Sequence, residues 1–174
     1  MKSIMIVITL SLMLIVVSCS PISVRHDYDS TVDFAKLKTF YWMPVPVQAG
    51  ISKLDVKHVQ SAVSTQLQAK GYDMMPDNPD FMIAMHLGKQ HKIDVQEWGY
   101  AYGPRARYAG LGRIEVYEYE EGTLLLDFID TRSKDLIWRG VATGEVNRYA
   151  SPEKKDTRIN EAVQKILNNF PPTK

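Results

Sequence analysis

The sequence predicts an α+β domain, a two-layer sandwich in which two principal helices pack on one face of a mainly antiparallel β-sheet. Two segments with apolar residues at three- and four-residue steps predict helices around residues 52–70 and 152–169. Several segments with alternating apolar residues predict strands, and residues 122–140 predict a hairpin. Hairpins interrupted by helices, without strict strand–helix alternation, favour this class over a doubly wound sheet.

Length and composition indicate a single globular domain. The chain has 174 residues, which suits one well-buried domain and is short for two. Hydrophobic residues make up 45% and charged residues 24%, which excludes the disordered and collagen-like classes. Lys and Arg number 21 against 20 Asp and Glu. Because phosphate binding draws on an excess of basic residues, we expect no nucleic-acid partner.

The first nineteen residues resemble a bacterial lipoprotein signal. Met1-Lys2-Ser3 gives a short positive start, residues 4–17 are almost continuously apolar, and Cys19 is the single cysteine of the chain. The apolar run of about 14 residues is shorter than the roughly 20 that a spanning helix needs. Its flanks also match those of a cleaved signal. An ordinary secretory signal with a leftover cysteine is the alternative, but no small-x-small cleavage site stands nearby.

Cleavage before Cys19 predicts a signal peptide (1–18), a lipidated tether (19–23) and a single domain (24–174). Acyl chains on the Cys19 thiol anchor a protein to a membrane, because each buried CH₂ contributes about 0.8 kcal/mol. Ser20 stands where, in enteric-type sorting, an aspartate marks retention in the inner membrane. By that resemblance we expect the periplasmic face of the outer membrane of a Gram-negative bacterium.

Before the hairpin, local patterns predict a series of short elements. Residues 24–29 and 39–43 have the alternation and aromatic content of strands, with a helical turn or simple turn between them at residues 32–37. Ser52 is the predicted N-cap of the first helix, and Gly71 its C-terminal cap. A short edge strand at 72–75 precedes a clear strand whose alternating apolar residues are Phe81, Ile83, Met85 and Leu87.

The hairpin is the predicted centre of the fold. Its core face should comprise Leu124, Leu126, Phe128, Leu136, Trp138 and Ala142. A turn at about residues 131–135 places Phe128 opposite Trp138 inside, and Asp127 opposite Arg139 outside. A strand at residues 114–119 leads into it, and Ser151-Pro152-Glu153 begins the second helix after it.

The segment from Trp98 to Arg113 is a predicted exposed loop without helical or strand periodicity. Tyr, Trp and Arg dominate contact hot spots between proteins, and the same side chains stack on sugars or grip carboxylates. The candidate partner-binding residues are Trp98, Tyr100, Tyr102, Arg105, Arg107 and Tyr108. A low-complexity insertion without a binding role is the simpler interpretation, and the sequence is compatible with both.

Other polar residues give no convergent catalytic or metal-binding pattern. His86 and His91 are an odd number of residues apart, so a regular strand directs them to opposite sides and no zinc pair is indicated. The glutamates Glu115, Glu118, Glu120 and Glu121 lack calcium spacing and suit a solvated strand edge. The sequence indicates no cofactor, no metal and no catalytic residue.

Short motifs in a fixed order are similar to those of the DUF4136 lipoproteins, bacterial envelope proteins of unknown function. They are Asp27-Tyr-Asp29, Asp33-Phe34, Lys38-Thr-Phe-Tyr-Trp42, Lys70-Gly-Tyr72, Pro79-Asp80, Glu121-Gly-Thr123, Trp138-Arg-Gly140 and Asn169-Phe-Pro-Pro172. The resemblance covers nearly the whole chain after the signal. It implies a two-layer α/β domain behind a lipoprotein signal, and it supplies no catalytic or binding residue.

Two functional hypotheses follow from the sequence. The first is a non-enzymatic binding or structural module, lipid-anchored to the membrane, whose exposed loop and sheet edge contact an envelope protein or glycan. The second is an envelope hydrolase that uses His86 or His26 with an acidic residue. The second is weaker because the sequence shows no nucleophile with a base and an orienting group.

Overall fold

The computed structural model describes residues 22–45, 51–97 and 114–172, with residues 93–97 and 114–117 described by their backbone. It confirms the predicted α+β sandwich. Six strands form one sheet in the order β1-β6-β5-β4-β2-β3. The strands are β1 (Ser23–Tyr28), β2 (Thr39–Trp42), β3 (Asp73–Met74), β4 (Phe81–Glu97), β5 (Ile114–Asp130) and β6 (Leu136–Val146). The helices are α1 (Lys53–Ala69) and α2 (Pro152–Leu167), with a 3-10 turn at Phe34–Lys36.

The sheet is antiparallel from β1 to β4 and parallel at its other end. β1, β6, β5 and β4 pair antiparallel with their neighbours. β2 pairs parallel with both β4 and β3. Parallel neighbours need a crossover connection, which α1 supplies between β2 and the two strands that follow it. The predicted edge strand at residues 72–75 is β3, at the end of the sheet.

Both helices begin as the sequence predicts. The Ser52 side chain accepts a hydrogen bond from the Leu54 N–H, and the Ser151 side chain accepts one from the Lys154 N–H. Each cap satisfies a backbone donor that has no partner within the helix. α1 ends before Gly71, whose φ of 87° lies in the left-handed region that favours glycine.

The hairpin of β5 and β6 has the predicted register. Phe128 pairs with Trp138, Asp127 pairs with Arg139, and the Asp130 N–H closes the turn by donating to the Asp135 carbonyl at 2.9 Å. The placement of Leu136 in the core was wrong, because its side chain is 43% exposed. A register shift between Phe128 and Ile129 pairs Leu136 with Ile129 and interrupts the alternation that predicts its burial.

The strands β4 and β5 are longer than predicted. Each has 17 residues, and they pair without interruption from Phe81 opposite Asp130 to Glu97 opposite Ile114. The strand predicted at residues 114–119 and the first strand of the hairpin are therefore one element. β6 pairs with β5 only as far as Val146 opposite Glu120. Beyond that point, β4 and β5 continue as a two-stranded ribbon.

An aromatic cluster fills the space between the sheet and the helices. Phe170 follows α2 and is fully buried, with ring centroids 4.6 Å from Phe128, 5.3 Å from Trp138 and 5.9 Å from Phe81. Burying a side chain of this kind contributes roughly 1.5–3 kcal/mol. The Asn169-Phe-Pro-Pro motif thus has a packing role, since it places Phe170 at the centre of the core.

Asp80 ties the start of β2 to the start of β4. Its carboxylate accepts hydrogen bonds from the Lys38 N–H at 2.8 Å, the Thr39 N–H at 3.0 Å and the Thr39 hydroxyl at 3.1 Å. Burial disfavours the charged carboxylate, but these bonds and the charge of Arg132 outweigh it, so the pKa of Asp80 is lowered. The Pro79-Asp80 motif therefore has a structural role.

Candidate functional site

The residues that the sequence singles out most strongly lie outside the described part of the chain. These are the lipidation candidate Cys19 and the loop residues Trp98, Tyr100, Tyr102, Arg105, Arg107 and Tyr108. Their roles stay predictions. The structure does fix where the loop is attached, because Glu97 and Ile114 pair with each other at the end of the β4–β5 ribbon.

The two histidines of the hydrolase hypothesis lie far apart in the sheet. His26 is on the edge strand β1, where it pairs with Gly140 of β6, and it lines a small cavity of about 160 Å³ together with Tyr28 and Asn169. His86 is on β4, where it pairs with Leu125. Neither histidine makes an ion pair with a carboxylate among the described side chains.

A larger groove lies where β6 ends and the ribbon continues. It has a volume of about 430 Å³. We call it the hairpin-base groove, and the residues that line it include His91, Glu118, Glu120, Glu145, Arg148 and Tyr149. β4 supplies the histidine, β5 and β6 supply the glutamates, and the turn between β6 and α2 supplies the last two residues.

The turn after β6 is held by Asn147. The Asn147 side-chain oxygen accepts from the Tyr149 N–H at 2.8 Å, and its backbone carbonyl accepts from the Ala150 N–H at 3.2 Å. Asparagine favours such turns because its short side chain reaches the backbone two residues on. The turn brings Arg148 back over β5 and leaves Tyr149 on the surface, where it is 93% exposed.

Arg148, in the turn after β6, contacts one side chain on β4 and one on β5. One of its terminal nitrogens lies 3.2 Å from Glu120 Oε1 and 3.3 Å from His91 Nε2. Because a guanidinium has only donors, this contact is a hydrogen bond when His91 Nε2 accepts. His91 and Glu120 are opposite each other in the β4–β5 register. The Glu120 side chain is only 14% exposed, so it is less solvated than the sequence predicted.

The groove combines an exposed ring with an excess of carboxylates. Glu118, Glu120, Glu145 and Arg148 line it, and Arg148 is engaged by Glu120. Such a surface suits hydrogen-bond donors and positively charged groups, while the Tyr149 ring offers a planar apolar face. The groove therefore offers hydrogen-bond acceptors and the exposed Tyr149 ring. The ring of His91 is next to the Arg148 guanidinium.

The sequence did not identify this groove. Arg148 and Tyr149 follow a strand in a segment without a recognisable motif, and the paired position of His91 and Glu120 depends on β5 being one continuous strand. The signal that was available is the alternation of Glu118 and Glu120 with Tyr119, which continues in phase into Leu124 and Leu126.

The sheet face opposite the helices carries a second polar feature. Arg139 and Asp127 form a bidentate ion pair with two N···O distances of 2.6 Å. Hydrogen bonding to Asp127 raises the pKa of Arg139, desolvation lowers it, and the charges of Asp127 and Asp27 raise it further, so the net shift is upward. Half-buried apolar residues flank the pair: Leu125, Ile129, Val141, Met82 and Ala84.

Searches for other site types within the described residues give no candidates. Among them, no group of three or more His, Cys, Asp or Glu side chains is arranged to hold a metal ion. In the same part of the chain, no helix has both the length and the apolar character needed to cross a membrane.

The fold and these surfaces define a two-layer α+β domain with an extended hairpin and a polar groove at the base of its ribbon. The chain belongs to the DUF4136 family, a domain of unknown function, whose family model matches residues 24–172. This confirms the family predicted from the ordered motifs. No protein of curated function matches the chain.

Solved structures with similar folds share little sequence with the chain. A PDZ domain protein from Parabacteroides distasonis has a TM-score of 0.55 at 15% identity, with 89% of this chain and 36% of that protein covered. The chain therefore spans about a third of that relative. The PelC dodecamer from Paraburkholderia phytofirmans has a TM-score of 0.50 at 13% identity, with 84% and 95% covered. At these identities the similarity concerns the fold alone.

Proposed function

We propose that the protein is a non-enzymatic binding or structural module, lipid-anchored through Cys19 to the periplasmic face of the outer membrane of a Gram-negative bacterium. The hairpin-base groove is the observation that carries the binding role. It joins an exposed tyrosine and an arginine, residue types that are enriched at contact hot spots, to carboxylates from two strands. The partner would be another envelope component that presents hydrogen-bond donors.

The position of the anchor supports contact with membrane-associated partners. The first described strand begins at Ser23, four residues after Cys19. Because an extended chain covers at most about 3.5 Å per residue, β1 would lie within about 14 Å of the lipidated cysteine. The domain would be held close to the membrane surface and would meet partners there.

The contacts of His91 favour recognition over catalysis. A general base needs a free nitrogen directed at the proton that it abstracts, and its other nitrogen is usually oriented by a third group. Here the Nε2 atom of His91 lies 3.3 Å from a terminal nitrogen of Arg148 instead. The three side chains hold one another in place and form one wall of the groove, and pre-ordered polar side chains lower the entropic cost of binding.

Fractionation of cells tests the location. Cys19→Ala should move the protein from membranes to the soluble fraction, since no lipid can be attached. Ser20→Ala is the matched control and should remain membrane-bound, because it keeps the cysteine. A Cys19→Ala protein that still sediments with membranes would contradict lipid anchoring.

Cross-linking in cells tests the groove. The double variant Arg148→Ala/Tyr149→Ala should lose adducts with envelope components, while the helix-surface variant Lys57→Ala/Lys155→Ala should retain them. Unchanged adducts in the groove variant would refute its role. For the hydrolase alternative, His26→Ala/His86→Ala should still rescue the phenotype of a gene deletion; loss of rescue by this variant in a stably folded form would favour an enzyme.

A further inference from the structure

Among the described residues, the strand β4 has a long edge without a strand partner. On one side it pairs with β5 along its entire length. On the other side β2 pairs only with Phe81, Met82 and Ile83. The final hydrogen bond on this side runs from the Met43 N–H to the Ile83 carbonyl, at 2.9 Å. Beyond Ile83, no described residue forms a ladder with this side of β4.

The bond at Ile83 identifies which backbone groups face this edge. A strand residue directs its N–H and C=O to one side, and its two neighbours direct theirs to the other. Ile83 directs its carbonyl toward β2. Met85, Leu87, Lys89 and His91 therefore direct their backbone groups to the same side, in register with the end of β2. We call these backbone groups the β4 edge.

The charge of the strand limits what can pair with this edge. From Phe81 to Lys92 the strand contains two lysines, two histidines and no acidic residue. Lys89 lies 4.0 Å from Asp55 and Lys92 lies 3.5 Å from Glu121, and all four side chains are partly exposed. Long, exposed ion pairs of this kind contribute little, so both lysines can engage another carboxylate.

A second copy of the chain is a poor occupant. Pairing two β4 edges would place one basic strand beside an identical basic strand, and lysines on edge strands oppose such association. An acidic strand would gain from the same lysines. Lys89 and Lys92 are an odd number of residues apart, so they lie on opposite faces of the sheet and would attract acidic side chains on either face of an added strand.

We propose that the β4 edge binds an acidic, extended segment of a partner protein as an additional strand. Backbone hydrogen bonds to Met85, Leu87 and Lys89 hold the segment, and the lysines select its charge. The proposal rests on the proposed binding function only in requiring a protein partner. It concerns a surface separate from the hairpin-base groove and does not depend on the lipid anchor.

Binding of a synthetic probe to the purified domain tests the proposal. The probe is a short, capped and fluorescently labelled peptide, Thr-Glu-Glu-Val-Val-Glu-Glu-Thr, which carries Glu on both faces of an extended strand, and the control peptide replaces each Glu by Lys. Fluorescence polarisation should detect the acidic peptide and not the basic one. Hydrogen exchange followed by NMR should show slower exchange at the amides of Met85, Leu87 and Lys89, with no change at Ala84 and His86, which face β5.

Charge-reversal variants locate the site. Lys89→Glu/Lys92→Glu should weaken binding of the acidic peptide by about tenfold, as expected for the loss of two exposed ion pairs. Lys57→Glu/Lys155→Glu changes the net charge equally on the helices and should bind as the unaltered protein does. If Lys89→Glu/Lys92→Glu fails to fold, Lys89→Gln/Lys92→Gln takes its place in the same binding measurement.

Several results would overturn the proposal. These are the absence of peptide binding, equal binding of the basic peptide, and protection confined to amides away from the β4 edge. A concentration-dependent dimer that protects the same amides without any peptide would assign the edge to a second copy instead. Unchanged cross-links in the groove variant would refute the groove but leave this proposal intact, because the two surfaces are tested separately.

Discussion

Replacing Gly140 by alanine should destabilise the protein because the backbone of β6 passes directly beneath a buried ring. A Cβ at position 140 would lie 2.8 Å from Trp138 Cζ3 and 2.5 Å from Ile166 Cγ2, and it would also overlap Trp138 Cη2. Trp138 and Ile166 are fully buried. Neither can move without displacing the aromatic cluster around Phe170, so the added methyl group cannot be accommodated by rotation of a surface side chain.

Overpacking of this kind costs about 1–3 kcal/mol. For a domain of this size, each kcal/mol lowers the Tm by roughly 2–4 °C, so Gly140→Ala should lower the Tm by about 2–12 °C. Chemical denaturation and calorimetry of the soluble domain measure both quantities. Gly88→Ala, in strand β4 of the same sheet, is the matched control, because its nearest atom would be Thr123 Cβ at 3.8 Å, which is ordinary contact.

A double-mutant cycle separates the overlap with Trp138 from other effects. Phenylalanine lacks the atoms Cζ3 and Cη2 of the tryptophan ring, and the buried Trp138 Nε1 has no hydrogen-bond partner among the described residues. Trp138→Phe/Gly140→Ala should therefore be more stable than the sum of the single variants predicts. A Gly140→Ala protein as stable as Gly88→Ala, or strictly additive effects in the cycle, would refute the close approach.

Three further substitutions test other parts of the structure. Asp80→Asn should lower the free energy of unfolding by about 1–3 kcal/mol at pH 7. The pKa of Asp80 in the folded protein is lowered, so the stability that its carboxylate contributes is fully present above the unfolded pKa of about 3.9 and is lost as the pH falls through the folded pKa. Urea titrations at pH 7 and in acid should therefore show a smaller difference in stability between the variant and the unaltered protein in acid. Phe170→Ala should cost about 3–5 kcal/mol in the same assay, and a smaller loss than for exposed Tyr149→Ala would contradict its central position. Arg139→Ala should cost only about 1 kcal/mol, since the Arg139 side chain is 45% exposed, and the loss should fall at high salt. A loss unaffected by salt would point to packing instead of charge.

Patterns of local sequence predicted the elements that have one buried face. The alternation of Leu124, Leu126 and Phe128 fixed the inner face of β5, and the turn length fixed the pairing of Phe128 with Trp138. The helix ends were also predictable, because Ser52 and Ser151 supply caps that satisfy backbone donors. These features depend on neighbours in sequence, so the sequence contains the necessary information.

Features that depend on distant residues were not predictable in the same way. The exposure of Leu136 follows from an irregularity in the pairing of β6 with β5, where Ile137 is skipped between Trp138 and Leu136, and the alternation of apolar residues does not reveal it. The length of β4 and β5 follows from their pairing with each other, since the polar residues near Lys92 and Glu118 give each strand alone little apolar alternation. The hairpin-base groove was not predictable for the same reason, because its residues come from β4, β5, β6 and the turn that follows β6.

Site-specific photo-cross-linking at position 149 tests the binding role most directly. A photoreactive amino acid in place of the exposed Tyr149, in the full chain expressed in cells, should form adducts with an envelope component; the same amino acid in place of Lys57 on α1 should not. Adducts should also diminish when Arg148 is replaced by alanine, because Arg148 orders the groove beside position 149. Equal adducts from positions 149 and 57, or none from position 149, would contradict a binding module that acts through this groove.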